Sequence, residues 1–306
     1  MRVSTSMVFA QGLSNLQQQQ STMLQSQQEI ATGIKLTNPA QDPVAFSTAS
    51  NLSVLSSKQN QYSTNIDNAT GKIQVQESTL GSITTMLQSV RDVAIQANNS
   101  AQNGTSLSAL TDQLDQLQKA LAGQMNATDE RGEYLFSGTA ARQMPYDANG
   151  VLNPAVSTAG TVKLAISDQQ SVAINQPAGQ IFQLSSSATT GGNASILQVI
   201  DQLKTAITTQ PANLQTIYQS AQKDIDAVLN QVTDARGSMG NALNTLSTAK
   251  DDNAAQNVLT KQTLSNLRDT DVASAITKLN QSYLNLQATQ QSMVKIQSLS
   301  LFNYIR

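Results

Sequence analysis

Apolar residues return along most of this 306-residue chain in alternating steps of three and four. The longest run follows Asp42. Leu52, Leu55, Tyr62, Ile66, Ala69, Ile73, Leu80, Ile83, Leu87, Val90, Ala94 and Ala97 share one stripe, interrupted by Gln59 and Gln76. A heptad seam held over so many turns calls for partner helices along its length. Asp42 before Pro43 reads as a carboxylate N-cap followed by proline at the first helical position. A helix from Asp42 to Asn99 rises roughly 80 Å at 1.5 Å per residue, too long for a compact globule. The pattern predicts a rod.

Three further stretches repeat the spacing. After a turn around Gly104, the apolar positions Leu107, Leu110, Leu114, Leu117, Leu121 and Met125 form a second seam. Its short connection predicts antiparallel packing on the first helix. Ile196, Val199, Ile200, Leu203 and Ile207 mark a helix from about Ser195 to Thr208. Beyond Pro211, Leu214, Tyr218, Ala221, Ile225, Val228, Val232, Ala235, Met239, Ala242, Leu246 and Ala249 mark another long one. Gly237 and Gly240 each cost about 1 kcal/mol there. They read as places of close helix approach or a bend.

The two ends carry thinner stripes. Leu13, Leu16, Met23, Leu24, Ile30 and Ala31 lie among glutamines that include the run Gln17 to Gln20. Gly33 reads as a helix stop, and 37–41 as a linker. At the other end Val272, Ile276, Leu279, Tyr283, Leu286, Met293 and Ile296 are diluted by Gln290 and Gln297. As a monomer such segments bury too little to offset the entropy of ordering them. Packing between subunits is therefore the expected use of Leu13, Leu16, Leu24, Ile30, Leu279, Leu286, Met293, Ile296, Leu299, Leu301 and Phe302.

The pattern changes after Asp129. Gly138, Pro145, Gly150, Pro154 and Gly160 punctuate the chain, and Val162, Leu164 and Ile166 alternate with smaller or polar residues. That alternation predicts a half-buried strand; Val172 with Ile174, and Phe182 with Leu184, predict two more. Asp147-Ala148-Asn149-Gly150 resembles the start of a calcium loop, but the later ligands and closing glutamate are missing, so it reads as a turn.

The predicted fold is mainly α with a small β insertion: a long antiparallel helical bundle or coiled-coil rod with a β-rich outer domain. The expected divisions are 1–42 with 265–306 as a terminal helical domain, 43–132 with 193–264 as a rod, and 133–192 as the insertion. Because the strong seams lie outside it, the insertion is expected to project from the helices and to be removable.

Composition narrows the chemistry. Apolar residues are 39% of the chain, aromatics 4% and charged residues 12%, which suits narrow seams better than one large core. Net charge is -2 without a basic run, which argues against nucleic acid. No 18-residue apolar run suggests a membrane helix, and Met1 to Gln20 has no apolar core of the signal-peptide kind. Cysteine and histidine are absent, removing thiol nucleophiles, histidine bases and most zinc sites. No base accompanies the many Ser and Thr residues, and no carboxylates pair. The chain reads as a non-enzyme, with no cofactor and no metal.

Several motifs resemble the bacterial flagellin family. Ala31-Thr32-Gly33-Ile34-Lys35-Leu36-Thr37-Asn38-Pro39-Ala40-Gln41-Asp42-Pro43 resembles its N-terminal motif, with Ile34 and Gln41 at positions usually basic and acidic. Arg236-Gly237-Ser238-Met239-Gly240 and Arg268-Asp269-Thr270-Asp271-Val272-Ala273 resemble its C-terminal motifs. Gly33, Asn38, Pro39, Asp42, Pro43, Arg236, Asp269 and Asp271 are the motif positions. The proline pair, the run Arg131-Gly132-Glu133-Tyr134-Leu135-Phe136-Ser137-Gly138, and the ending Leu299-Ser300-Leu301-Phe302-Asn303-Tyr304 are similar to members that join hook to filament. The resemblance implies an extracellular structural protein, exported through the flagellar type III apparatus without a cleaved signal peptide. It implies as partners a ring of its own copies, a neighbouring hook-associated protein, filament flagellin and a cytoplasmic export chaperone holding the C-terminal helix. Filament flagellin is the alternative within the family. A cytoplasmic signalling coiled coil is the alternative outside it.

Overall fold

The computed structural model describes the backbone of residues 5–98 and 104–304; at the ends, side chains are described for Met7 and from Ala10 to Lys295. The fold is mainly α. Its elements are α1 (Thr5–Thr32), α2 (Pro43–Ala97), α3 (Gly104–Met125), α4 (Pro154–Ser157), β1 (Lys163–Ala165), β2 (Ser171–Ala173), α5 (Ala178–Ile181), β3 (Gln183–Leu184), β4 (Ala194–Ser195), α6 (Ile196–Thr209), α7 (Leu214–Arg268) and α8 (Val272–Tyr304). The chain forms two compact units. One is built from the two ends, up to Lys58 and from Gln256 onward; the other runs from Gln59 to Ala255.

The second unit holds the apolar core. On α2 the seam from Ile66 through Ile73, Leu80, Ile83, Leu87, Val90 and Ala94 is buried without a break. On α7, Tyr218, Ala221, Ile225, Val228, Val232, Met239 and Leu246 answer it. Ion pairs show that the two helices are antiparallel: Arg91 with Asp226 at 3.1 Å, Glu77 with Arg236 at 2.7 Å, and Asp67 with Lys250 at 2.8 Å. These exposed or half-exposed pairs add little energy, but they report the register. Lys72 pairs with Glu133 and Asp129, just past the end of α3, so α3 runs back along α2 as its short connection predicts. Helix α6 packs on α3, where Lys204 bonds Asp115 and Gln118, and Gln118 reaches the Leu197 carbonyl. Its start is a full capping box between Ser195 and Gln198.

The seam is shorter than its spacing implies. Leu52 is half-buried and Leu55 exposed. Before Ile66 it turns polar: Gln59 is buried, and its backbone carbonyl accepts a hydrogen bond from the Asn253 side chain. Gly237 and Gly240 do not mark a close approach, since a Cβ at either would meet nothing within 4 Å; α7 continues through both.

Among the described residues the insertion forms two small antiparallel sheets. β1 pairs with β2 (Leu164 opposite Val172), and β3 pairs with β4, the strand that leads into α6. The expectation that it projects from the helices is corrected. Leu135, Phe136, Tyr146, Ile166, Ile181 and Phe182 belong to the same buried cluster as the α2 and α7 seams. Phe136 and Phe182 meet edge to face, with centroids 5.4 Å apart. Gln76 is a buried anchor rather than a gap in the stripe: its amide donates to the Leu135 carbonyl at 3.1 Å. Buried Asp224 on α7 accepts from Ser187 Oγ at 2.7 Å, Ala188 N at 2.8 Å and Thr189 N at 2.9 Å. Asp147 is committed to its turn, accepting from Asn149 N and Val151 N. Gly150 there has φ +70°, and a Cβ on it would stand 2.7 Å from Leu197 Cβ.

Three expectations follow from this packing. Replacing Asp224 with alanine removes the acceptor of the buried Ser187 hydroxyl and of the part-buried Ala188 and Thr189 amides, and should destabilise the second unit by about 2 kcal/mol in denaturant titration. Replacing residues 139–190 by a short Gly/Ser linker should abolish the cooperative unfolding of that unit; a variant with the parent's midpoint would restore the view of the insertion as decoration. Hydrogen bonds from Lys119, then Lys204, hold the Asp115 carboxyl down to about 2 from its ordinary 3.8. Its contribution should be complete above about pH 4 and lost as pH falls through 2, which carboxylate NMR titration reads directly.

Candidate assembly surface

The first unit pairs α1 with α8, antiparallel. Where the chain leaves α1, Gly33 takes a left-handed φ of +69°. Two backbone bonds then tie the crossing: Lys35 N donates to the Arg268 carbonyl at 2.8 Å, and Thr270 N to the Gly33 carbonyl at 2.9 Å. Ile34 and Asp269 form an isolated bridge between them.

The motif residues prove to be the local grammar of these junctions. Asp42 Oδ1 accepts from Val44 N and Ala45 N and so caps α2, with Pro43 at the first position. Asp271 Oδ1 accepts from Ala273 N and Ser274 N and caps α8. Asn38 Oδ1 accepts from Ala40 N within the exposed turn that carries Pro39. Arg236 lies in the other unit, with Nε and Nη2 both donating to Glu77 Oε1.

The terminal residues expected to pack between subunits divide between an inner α1–α8 seam and exposed positions. On α1 a stripe of buried and half-buried positions comprises Gly12, Leu16, Gln19, Met23, Ser26 and Ile30, with Thr22 and Glu29 half-buried beside it; on α8 the stripe is Ala275, Leu279, Ser282, Leu286, Thr289 and Met293. Both sets step by four and three. Leu16, Ile30, Leu279, Leu286 and Met293 thus lie on the inner seam. Leu13 and Leu24 do not: they stand 43% and 60% exposed. Val272, Ile276 and Tyr283 also face outward, joined by Leu284 and Val294. The side chains of Ile296, Leu299, Leu301 and Phe302 lie outside the described residues. Reasoning from apolar residues alone missed the inner positions Gly12, Ser26, Ala275, Ser282 and Thr289. The signal that could have found them is small residues recurring every seven.

This unit has almost no apolar core of its own. Its buried apolar side chains, among those described, are Leu36, Ala49 and Ala275. Meanwhile thirteen of the seventeen large apolar side chains described as exposed belong to it, six up to Lys58 and seven beyond Gln256. Exposed apolar surface concentrated in this way marks an interaction face.

Comparison with known proteins gives the family. The model of the bacterial flagellin N-terminal helical region matches residues 3–141, and that of the bacterial flagellin C-terminal helical region matches residues 222–305. The chain belongs to the flagellin family. Curated relatives of this flagellin-family chain include flagellar hook-associated protein 3 of Salmonella typhimurium, 27% identical over 320 residues and 100% of both chains. The protein of the same name from Escherichia coli is 26% identical over 315 residues and 99% of both. Among solved structures, a flagellar hook-associated protein from Vibrio parahaemolyticus superposes with a TM-score of 0.68 at 21% identity, covering 75% of this chain and 100% of that one. The shared fold is thus the flagellin-family helical scaffold.

Amide exchange on the isolated chain should separate the units. Protection in α1 and α8 should fall far below that of Ile66 to Ala97, because ordering entropy there meets little burial. Equal protection would mean the inner seam suffices alone.

Proposed function

We propose that this chain is a structural subunit of the bacterial flagellum that forms the junction between hook and filament by self-assembly through its terminal helices. One observation carries the reading: a coreless unit of paired terminal helices, bearing most of the exposed apolar side chains, in a flagellin-family chain. A unit that buries little alone becomes ordered when neighbouring copies cover it. The full-length match to hook-associated protein 3 supports the junction over the filament.

On this reading the partners are further copies in a ring, a hook-associated protein on one side and filament flagellin on the other. The protein works outside the cell after type III export, in a mechanical and not an enzymatic role. A cytoplasmic chaperone covers α8 before export, in the manner of an amphipathic helix laid in a groove. Leu279, Leu286 and Met293, paired inward with α1 here, become available to it when α1 separates, and Ile276 and Tyr283 form the face presented to neighbouring subunits.

Fluorescent labelling of the protein in flagellated cells should give one focus at the hook end of each filament. Label along the filament would instead make it filament flagellin. The double variant Ile276→Asp/Tyr283→Asp leaves the inner seam alone and puts charge on the outer face. It should keep the denaturation midpoint of the second unit and lose assembly. Filaments of normal number and length would show that this face is not the subunit contact.

A further inference from the structure

The register of the terminal helices contains a size rule. A Cβ built on Gly12 would lie 3.4 Å from Met293 Sδ, so these two positions share a layer. Stepping by four and three along both helices from that layer sets Leu16 opposite Thr289, Gln19 opposite Leu286, Met23 opposite Ser282, Ser26 opposite Leu279 and Ile30 opposite Ala275. All twelve are buried or half-buried. Each layer therefore holds one large apolar side chain, and in all but the Gln19 layer its partner is small. The large member alternates from helix to helix. We propose that this alternation is the specificity determinant of the terminal-helix pair, selecting antiparallel orientation and close approach.

The physical reason is volume. Along either helix the order is small, then four residues on large, then three on small. Two such helices laid parallel put large on large and small on small. Over-filled layers then alternate with holes, and both are destabilising. Only the antiparallel arrangement sets a large apolar side chain on a small one, in every layer but that of Gln19. A slip of one heptad would keep that match, and the backbone bonds at Gly33–Thr270 and Lys35–Arg268 exclude it. Apolar content could not do this here, because the seam has too few large residues to choose between orientations by burial alone.

The proposal rests on the α1–α8 geometry and touches the junction reading only in where the pair is used, so each can fail alone. The chain has no cysteine, which makes disulfide trapping in the full-length protein clean. Gln19→Cys/Leu286→Cys lies within one layer; Ser26→Cys/Leu286→Cys is one heptad out. The first should cross-link within one chain at least about tenfold faster than the second; equal rates overturn the register. In the Gln19→Cys/Leu286→Cys background, Ser26→Leu creates a large–large layer and Leu279→Ser a small–small one. Each should slow cross-linking, and the two together should return it to within about twofold of the parent. A combined variant no better than the worse single change overturns the size rule. Hook-end labelling with the parent chain tests the junction reading separately.

Discussion

The antiparallel burial of the α2 seam against α7 and α3 is the constraint on which the rest depends. From Ile66 to Ala97 its apolar positions are fully or almost fully buried. Each large aliphatic contributes about 1.5–3 kcal/mol on burial, so this run supplies stability the short strands of the insertion could not. The insertion is stable because it joins that core. Phe136, Phe182 and Ile181 extend it, while Gln76 and Asp224 bind the insertion's backbone to the two long helices.

The end-derived unit uses the same heptad spacing for a different purpose. Its layers are half small or polar, so the pair α1–α8 is specified in orientation but poor in burial. Apolar residues that would complete a core stand outside instead, at Ile276, Tyr283 and Leu24 among others. A stable unit joined to a weak terminal one suits a subunit that folds alone and completes its packing on assembly. The free energy missing from the monomer is available on assembly.

The family motifs acquire a physical meaning from this division. Asp42 and Asp271 are helix caps, Gly33 is a left-handed stop, and the bonds between 33–35 and 268–270 cross-tie the chain where both long stretches of helix are interrupted. These residues set where α1 and α8 begin and end, and so which side chains fall on the inner and outer faces.

Much of this was legible in the residues. The 3,4 spacing located all the long helices, Asp42-Pro43 and Gly33 located their ends, and the motifs located the family. Such features are local: helical period and capping depend on neighbours within a turn or two. Other features depend on what lies across a gap. Apolar spacing placed Leu13, Leu24, Val272 and Ile276 on the seam, whereas the fold turned them outward and filled the inner layers with Gly12, Ser26, Ala275 and Ser282. It likewise left Gln76 an interruption and Asp224 unnoticed until their partners, about 60 and 37 residues away, came into contact. Periodicity says that a helix has a buried face. Which of two thin faces is buried, and which polar group is satisfied inside, is decided by the volume and donors of a partner distant in sequence, and so only by the tertiary structure.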